Sequence, residues 1–321
     1  MLELRVGALL VLGSYLFCGA ASALAAIHVN VFRAFGLKDT ARQIPFRFAH
    51  TMLATWLAGA AAFAVQRLVL PSLETRAVLL VTLTALLALV LSRRRLRGLL
   101  ARIARGGLSA EHRLGDILVS DALVSLAGVL VDVVYSYTLT ARGVPASNPV
   151  DRPRHIGFKT LAIACVPQGI RMKQCFTDYR RSGSRQHLLN LGKYLVANTP
   201  HAMRLQLALL SPDNADEARA RDMIARHIFT AACLNATCGY LWDVVVDWRL
   251  GRLQTGHGLR LARPWYYAAA AADLVLRFVF LFAYNAEHVV FAMQALELLR
   301  RGMWCVFRVE SEPLEIADME L

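Results

Sequence analysis

Apolar runs of about 20 residues recur along the whole chain, and a run of that length lets one helix cross a hydrocarbon core about 30 Å thick. Nine such runs stand at residues 6–27, 47–70, 76–92, 116–139, 156–172, 187–210, 223–246, 265–284 and 286–308. They predict an all-α fold, a polytopic membrane bundle of about nine transmembrane helices. Hydrophobic residues make up 56% of the 321 positions and charged ones 18%. A soluble chain would have about 45–50% and about 25%. A disordered chain, a disulfide-stapled secreted module and an ordinary cytosolic enzyme are thereby excluded. The first run has Arg5 before it and small residues near Ala20 to Ala26, as a signal peptide would. Its charged start is slight and its apolar stretch long, so it reads as a span.

Lys and Arg number 36 against 23 Asp and Glu, a formal net charge of +13. In a soluble protein this excess would suggest a nucleic-acid partner. Here the cations gather in short loops between apolar runs, so no nucleic acid is expected. Arg93, Arg94, Arg95, Arg97 and Arg102 crowd one loop. Lys173, Arg180, Arg181 and Arg185 crowd a second, and Arg249, Arg252, Arg260 and Arg263 a third. Loops rich in Lys and Arg stay cytosolic. The segment 71–75 has neither residue, and 211–222 is mixed and acid-containing. Nine spans then alternate without conflict, with the N-terminus outside or lumenal and an acidic cytosolic tail at 309–321.

Ionisable side chains inside a bilayer cost at least a few kcal/mol each, so they face a bundle interior or a water-filled path. The first three spans hold few. The fourth carries Asp116, Asp121 and Asp132, the sixth Lys193, the seventh Asp243 and Asp247, and the eighth Asp273 and Arg277. The last carries Glu287, Glu297, Arg300 and Arg301. Residues 1–110 are therefore expected to form peripheral helices and residues 111–308 a polar pathway core. Asp243 and Asp247 are four apart, as are Asp273 and Arg277, so each pair shares a helix face. Glu297 lies within reach of both Arg300 and Arg301. One reading is that these are intrahelical ion pairs that neutralise one another. The other is that arginines converge to make an anion site, because a guanidinium fork matches the oxygen pairs of phosphate or carboxylate.

The cysteines are Cys18, Cys165, Cys175, Cys233, Cys238 and Cys305, mostly within apolar runs and with no CxxC. They are expected to act as small apolar residues. His155, His187, His201, His227 and His288 lack metal-ligand spacing. No Walker loop, GxGxxG or HExxH occurs. No metal, cofactor or enzymatic activity is expected. Asn235-Ala236-Thr237 matches a glycosylation sequon but lies inside a span.

Several ordered stretches resemble the EXS family. They begin with Val166-Pro167, Gly169-Ile170-Arg171, Gln174-Cys175 and Asp178-Tyr179-Arg180. His187-Leu188, Asn190 and Gly192-Lys193-Tyr194 follow. Trp242-Asp243 with Asp247-Trp248, then Asp273 with Arg277-Phe278, continue the pattern. Glu297, Arg300-Arg301, Trp304, Phe307-Arg308 and Glu310 close it. Asp121, Ser125-Leu126 and Asp132 resemble the family's earlier acidic helix. The family includes exporters of inorganic phosphate with a large N-terminal SPX domain, and short fungal-type Golgi proteins needed to retain lumenal ER proteins. In layout the chain resembles the short form without an SPX domain.

The resemblance implies phosphate movement from Golgi lumen to cytosol, in support of glycosylation and ER-protein retention. It implies a phosphate path of Asp121, Lys193, Tyr194, Asp243, Asp247, Arg277, Arg300 and Arg301, with Asp273 and Glu297 in support and a gate near Phe280 or Trp304. Val124, Phe280 and Gly302 depart from the family pattern. Expected partners are inorganic phosphate and membrane lipid, and a homodimer through the apolar N-terminal helices is compatible with the pattern. A different reading is a Golgi membrane adaptor that binds sorting or glycosylation machinery through an acidic tail surface of Glu310, Glu312, Glu315, Asp318 and Glu320.

Overall fold

A computed structural model describes residues 2–27, 29, 35, 44–69, 76–109, 113–141, 162–210, 215–256, 258–282 and 287–312. The loops 71–75 and 211–214, His155 and the first part of the fifth expected span lie outside these residues, as do 313–321 and the side chain of Glu287.

Among the described residues the regular structure is helical throughout. The expected runs become helices because long apolar stretches satisfy their own backbone hydrogen bonds. The first three spans are α1 (Leu2–Ala26), α2 (Ile44–Val69) and α3 (Arg76–Ser92). A short basic helix, α4 (Arg94–Ala104), leaves α3 at 91°. The fourth span is broken at Leu126 into α5 (Arg113–Ser125) and α6 (Ala127–Ala141), which meet at 59°. A 3-10 turn, Ile163–Cys165, leads into α7 (Val166–Ser182), the described part of the fifth run. Then come α8 (Arg185–Leu209) and α9 (Ala215–Trp242), which continues as a π turn at Asp243–Asp247. The single turn α10 (Arg252–Thr255) precedes α11 (Arg263–Phe278), and α12 (Glu287–Ser311) closes the described chain.

Among the described residues, four unbroken helices are long and apolar enough to cross a membrane, or up to six if each bent pair is one span. The count falls below the nine expected for a physical reason. Helices α8 and α12 are each 25 residues long, enough for a span, but they carry polar and charged side chains at intervals. Such helices are stable in a bilayer only where other helices cover their polar faces.

The packing supplies that cover. Helix α12 lies against α1, α5, α11 and the π turn, while α8 lies between α7 and α9. Val6 and Leu9 of α1 meet Leu298 of α12 and Val129 of α6 in one buried cluster. Val11, Met52 and Leu86 join α1, α2 and α3 in another. At the far end of α12, Trp248, Tyr266, Trp304 and Phe307 form an aromatic core. Glu310 is buried beneath it, accepting hydrogen bonds from Arg252, from Tyr266 Oη at 2.6 Å and from Arg260 N at 3.0 Å. Glu310 is therefore no part of the acidic surface expected of the tail. The carboxylate is an internal clamp between α12 and the 249–263 segment, and Glu312 pairs with Arg308 at 2.5 Å. The remaining acids of that surface lie outside the described residues.

A candidate anion pathway

Alternate ends of five elements meet at one end of the bundle: the starts of α5 and α8, and the ends of α7, the π turn and α12. Between them lies a cavity of about 380 Å³. Its mouth has Arg113, His187, Arg249, Arg308 and Glu312. Deeper in lie Asp121, Arg171, Lys193, Tyr194, Trp242 and Asp247. Lys193 is eight residues into α8, about 12 Å along its axis. The basic segments 173–185 and 249–263, which the sequence leads one to expect on the cytosolic side, flank this mouth.

The residues on the cavity floor hold one another. The Tyr194 hydroxyl donates to Asp121. Arg171 Nε lies 2.9 Å from Asp121 Oδ1 and donates to the Tyr194 oxygen at 3.0 Å. Arg171 also donates to Gln174 Oε1 at 2.6 Å, and Gln174 reaches Ser120 at 3.0 Å. Lys193 differs from these. Its ammonium stands over the ring of Tyr194 at 4.4 Å and over Trp242 at 5.0 Å. No carboxylate among the described residues lies within ion-pair distance of it. Aromatic faces attract a cation but leave its hydrogen bonds unmade. Asn190, one turn before it and in the same cavity wall, has a buried side-chain oxygen without a partner.

Deeper along α12 the charges are matched. Arg300, 3% exposed, grips Glu297 with two bonds of 2.7 Å and reaches Asp273 at 3.0 Å and Asp243 at 3.3 Å. Arg277 donates to Asp273 at 2.8 Å and to Asp243. The ion-pair reading of these residues therefore holds, and the arginines also converge across helices, on carboxylates. Asp273–Arg277 and Glu297–Arg300 are intrahelical pairs, and Asp243 joins them across three elements. Gly239 makes the approach possible, because a Cβ there would stand 2.3 Å from an Arg277 nitrogen. Arg301 takes another course. It donates through Nε to Ser125 at 2.8 Å, beside the break between α5 and α6, and lies 4.5 Å over Trp304. Ser125 in turn donates to Glu297 at 2.5 Å.

The π turn separates two acids that α-helical spacing places together. Trp248 N bonds to Asp243 O at 2.8 Å, five residues back, so the turn is wider than an α-helix. Asp243 faces the two arginines. Asp247 faces the cavity, where it accepts from Trp242 Nε1 at 3.2 Å and Trp304 Nε1 at 3.1 Å, with Arg308 at 3.6 Å. The segment ends on Arg249, whose φ of 51° lies in the left-handed region. A non-glycine residue there is strained, and such strain collects at functional sites.

The structure thus splits the eight expected path residues. Asp121, Lys193, Tyr194 and Asp247 line the cavity, whereas Asp243, Arg277, Arg300 and Arg301 do not. Of the expected supports, Asp273 and Glu297 belong to the ion-pair network. Trp304 is fully buried and anchors Asp247, and Phe280 packs with Phe278 and Phe229, so neither lines the cavity as a gate would. Trp242 does line it, and so do Arg171 and Arg113. Their positions follow from packing between helices, and only motif membership marked Arg171 and Trp242 in advance.

A polytopic helix bundle with a charged internal cavity and a deeper network of buried arginines defines a multi-pass membrane protein built around polar residues. The sequence model of the EXS family matches residues 1–314, and the chain belongs to that family. It is 25% identical over 236 residues to human solute carrier family 53 member 1, covering 63% of this chain and 33% of that protein. It is 26% identical over 213 residues to Protein ERD1 of Saccharomyces cerevisiae, covering 61% and 54%. A homologue of xenotropic and polytropic retrovirus receptor 1 from Danio rerio is 27% identical over 234 residues, again with 33% of that protein covered. The chain therefore spans about a third of the length of the solute carriers and about half that of ERD1.

Proposed function

We propose that this protein is a transmembrane transporter of inorganic phosphate that moves the ion from the Golgi lumen to the cytosol. EXS membership supports the class, and its likeness to ERD1 and to the short members supports the compartment. The observation that carries the reading is Lys193. A half-buried ammonium is best satisfied by direct ion pairs, and among the described residues no carboxylate touches this one at ion-pair distance, although Asp121 and Asp247 share its cavity of about 380 Å³. A phosphate oxyanion would supply a directly touching anion, and the O–H of hydrogen phosphate or dihydrogen phosphate would donate a hydrogen bond that the Asn190 oxygen or Asp247 can accept.

Passage from the cavity toward the far side requires Arg300 and Arg277 to exchange carboxylate partners for phosphate oxygens. Asp243, Asp273 and Glu297 hold the arginines in place between ions. Conduction needs binding strong enough to replace water and weak enough to release the ion, and such exchange meets both needs. Clearance of lumenal phosphate would support glycosylation and, through it, retention of ER proteins.

Purified protein in liposomes should take up radiolabelled phosphate above empty vesicles, in preference to sulfate and chloride. Uptake no greater than in empty vesicles, or equal uptake of all three anions, would contradict the reading. Co-localisation with a Golgi marker tests the compartment separately.

A further inference from the structure

Helix α4 is too short and too charged to sit in hydrocarbon. Its 11 residues extend about 16 Å and include Arg94, Arg95, Arg97 and Arg102. It leaves α3, a candidate span, at 91°, so it runs across the end of the bundle and not along it. Arg97 sets the corner by donating to the Leu91 carbonyl at 2.7 Å and the Ser92 carbonyl at 3.4 Å, two of the groups α3 leaves unpaired at its end.

The helix is amphipathic in the manner of a surface helix. Leu96, Leu99, Leu100 and Ile103 recur at helical spacing, and of these Ile103 alone is fully buried. The other three are left partly uncovered by protein. Arg94, Arg95 and Arg105 are exposed and make no side-chain hydrogen bond or ion pair among the described residues. Arg102 is the exception. It grips the buried Asp116 of α5 with bonds of 2.9 and 2.5 Å, and Ser109 N adds a third at 2.6 Å. The turn after α4 passes through Gly106 at φ 69°, so close to Lys173 of α7 that a Cβ would meet its side chain at 2.4 Å.

We propose that α4 lies in the cytosolic interface of the bilayer and binds acidic phospholipid headgroups. The uncovered leucines enter the acyl boundary, and Arg94, Arg95 and Arg105 reach the anionic phosphates and carboxylates. Helices with a basic polar face beside a span bind anionic lipid by these two terms together. Neither term alone explains the arrangement. Free phosphate in water complements the arginines but leaves the leucines uncovered, and a zwitterionic lipid covers the leucines but leaves the charge unmatched. Arg102 and Asp116 tie this surface to α5, the helix that carries Asp121.

The test uses the full chain, purified and exchanged into mixed micelles of phosphatidylserine and phosphatidylcholine. Lipid retained after washing is counted by mass spectrometry. Exchange of Arg94→Gln, Arg95→Gln and Arg105→Gln together should lower retained phosphatidylserine several-fold and leave phosphatidylcholine unchanged. The matching lysine variant should keep most of it, because it preserves the charge. Salt should weaken phosphatidylserine retention, and inorganic phosphate at matched ionic strength should not displace it further. Wild-type retention by the glutamine variant, or loss in the lysine variant equal to that in the glutamine variant, would overturn the proposal. So would specific displacement by inorganic phosphate. Lipid retention is read without measuring flux, so the outcome is independent of the phosphate reading.

Discussion

Two clusters of charge sit a few turns apart along α12, and they are built on opposite terms. In the inner one, Arg277 and Arg300 share Asp243, Asp273 and Glu297, with nearly every separation near 3 Å. In the outer one, five cations and four carboxylates line a cavity, and Lys193 stands over aromatic rings with no acid among the described residues at ion-pair distance. A closed network of buried ions holds helices together, because removal of one member strands the others. An open cluster with an unmatched cation is poor cement and a good receptor. The same residue types therefore carry structure in one place and ligand binding in the other, and partner count is what distinguishes them.

The comparison breaks most visibly at Arg300. Arg300→Met should leave the buried Asp243 and Asp273 sharing Arg277 alone and strip Glu297, itself about a third exposed, of its intrahelical partner, at a cost of up to about 3–5 kcal/mol. A large fall in folded yield and in the midpoint of thermal unfolding is the expected result, and an unchanged midpoint would remove the network from the account of stability. Gly239→Ala probes the same network more gently. The added methyl must push the Arg277 guanidinium aside, with an overpacking penalty of about 1–3 kcal/mol. Phosphate uptake should fall about tenfold while the protein still purifies as a folded species. Arg249→Gly gives the smallest change in stability and sharpens the contrast by its sign. Glycine accepts φ 51° without the strain that arginine bears, about 1–2 kcal/mol. The unfolding midpoint should hold or rise slightly, yet uptake should drop severalfold, because a cation at the cavity mouth is gone. A fall in both would assign Arg249 to the fold alone.

Much of this was legible in the sequence because lipid makes charge conspicuous. Asp121, Lys193, Asp243, Arg277 and Arg300 stand out in any apolar run, and their spacing within one helix foretold the Asp273–Arg277 and Glu297–Arg300 pairs. What spacing could not foretell was partners on other helices. Glu297 lay within reach of two arginines, and the choice of Arg300 depends on Ser125 being present to receive Arg301. The equivalence of Asp243 and Asp247 assumed 3.6 residues per turn, and the π turn removed it. The break at Leu126 and the corner before α4 leave no periodic signal, so one expected span became two helices and one basic loop became a surface helix. Glu310 read as part of an acidic tail because its buried donors, Arg252 and Tyr266, lie some 50 residues away in sequence.

The central claim is that Lys193 is an anion receptor and not a structural ion, and uptake by Lys193→Met reads it directly. Methionine keeps an unbranched apolar stem one atom shorter, which still packs beside Tyr194 and Trp242, and removes the ammonium with its attraction to the two rings. In liposomes with matched protein content, radiolabelled phosphate uptake should fall to that of empty vesicles, while the thermal midpoint stays within experimental error of wild type. Wild-type uptake by the variant would contradict the account, and so would a midpoint that falls as far as that of Arg300→Met.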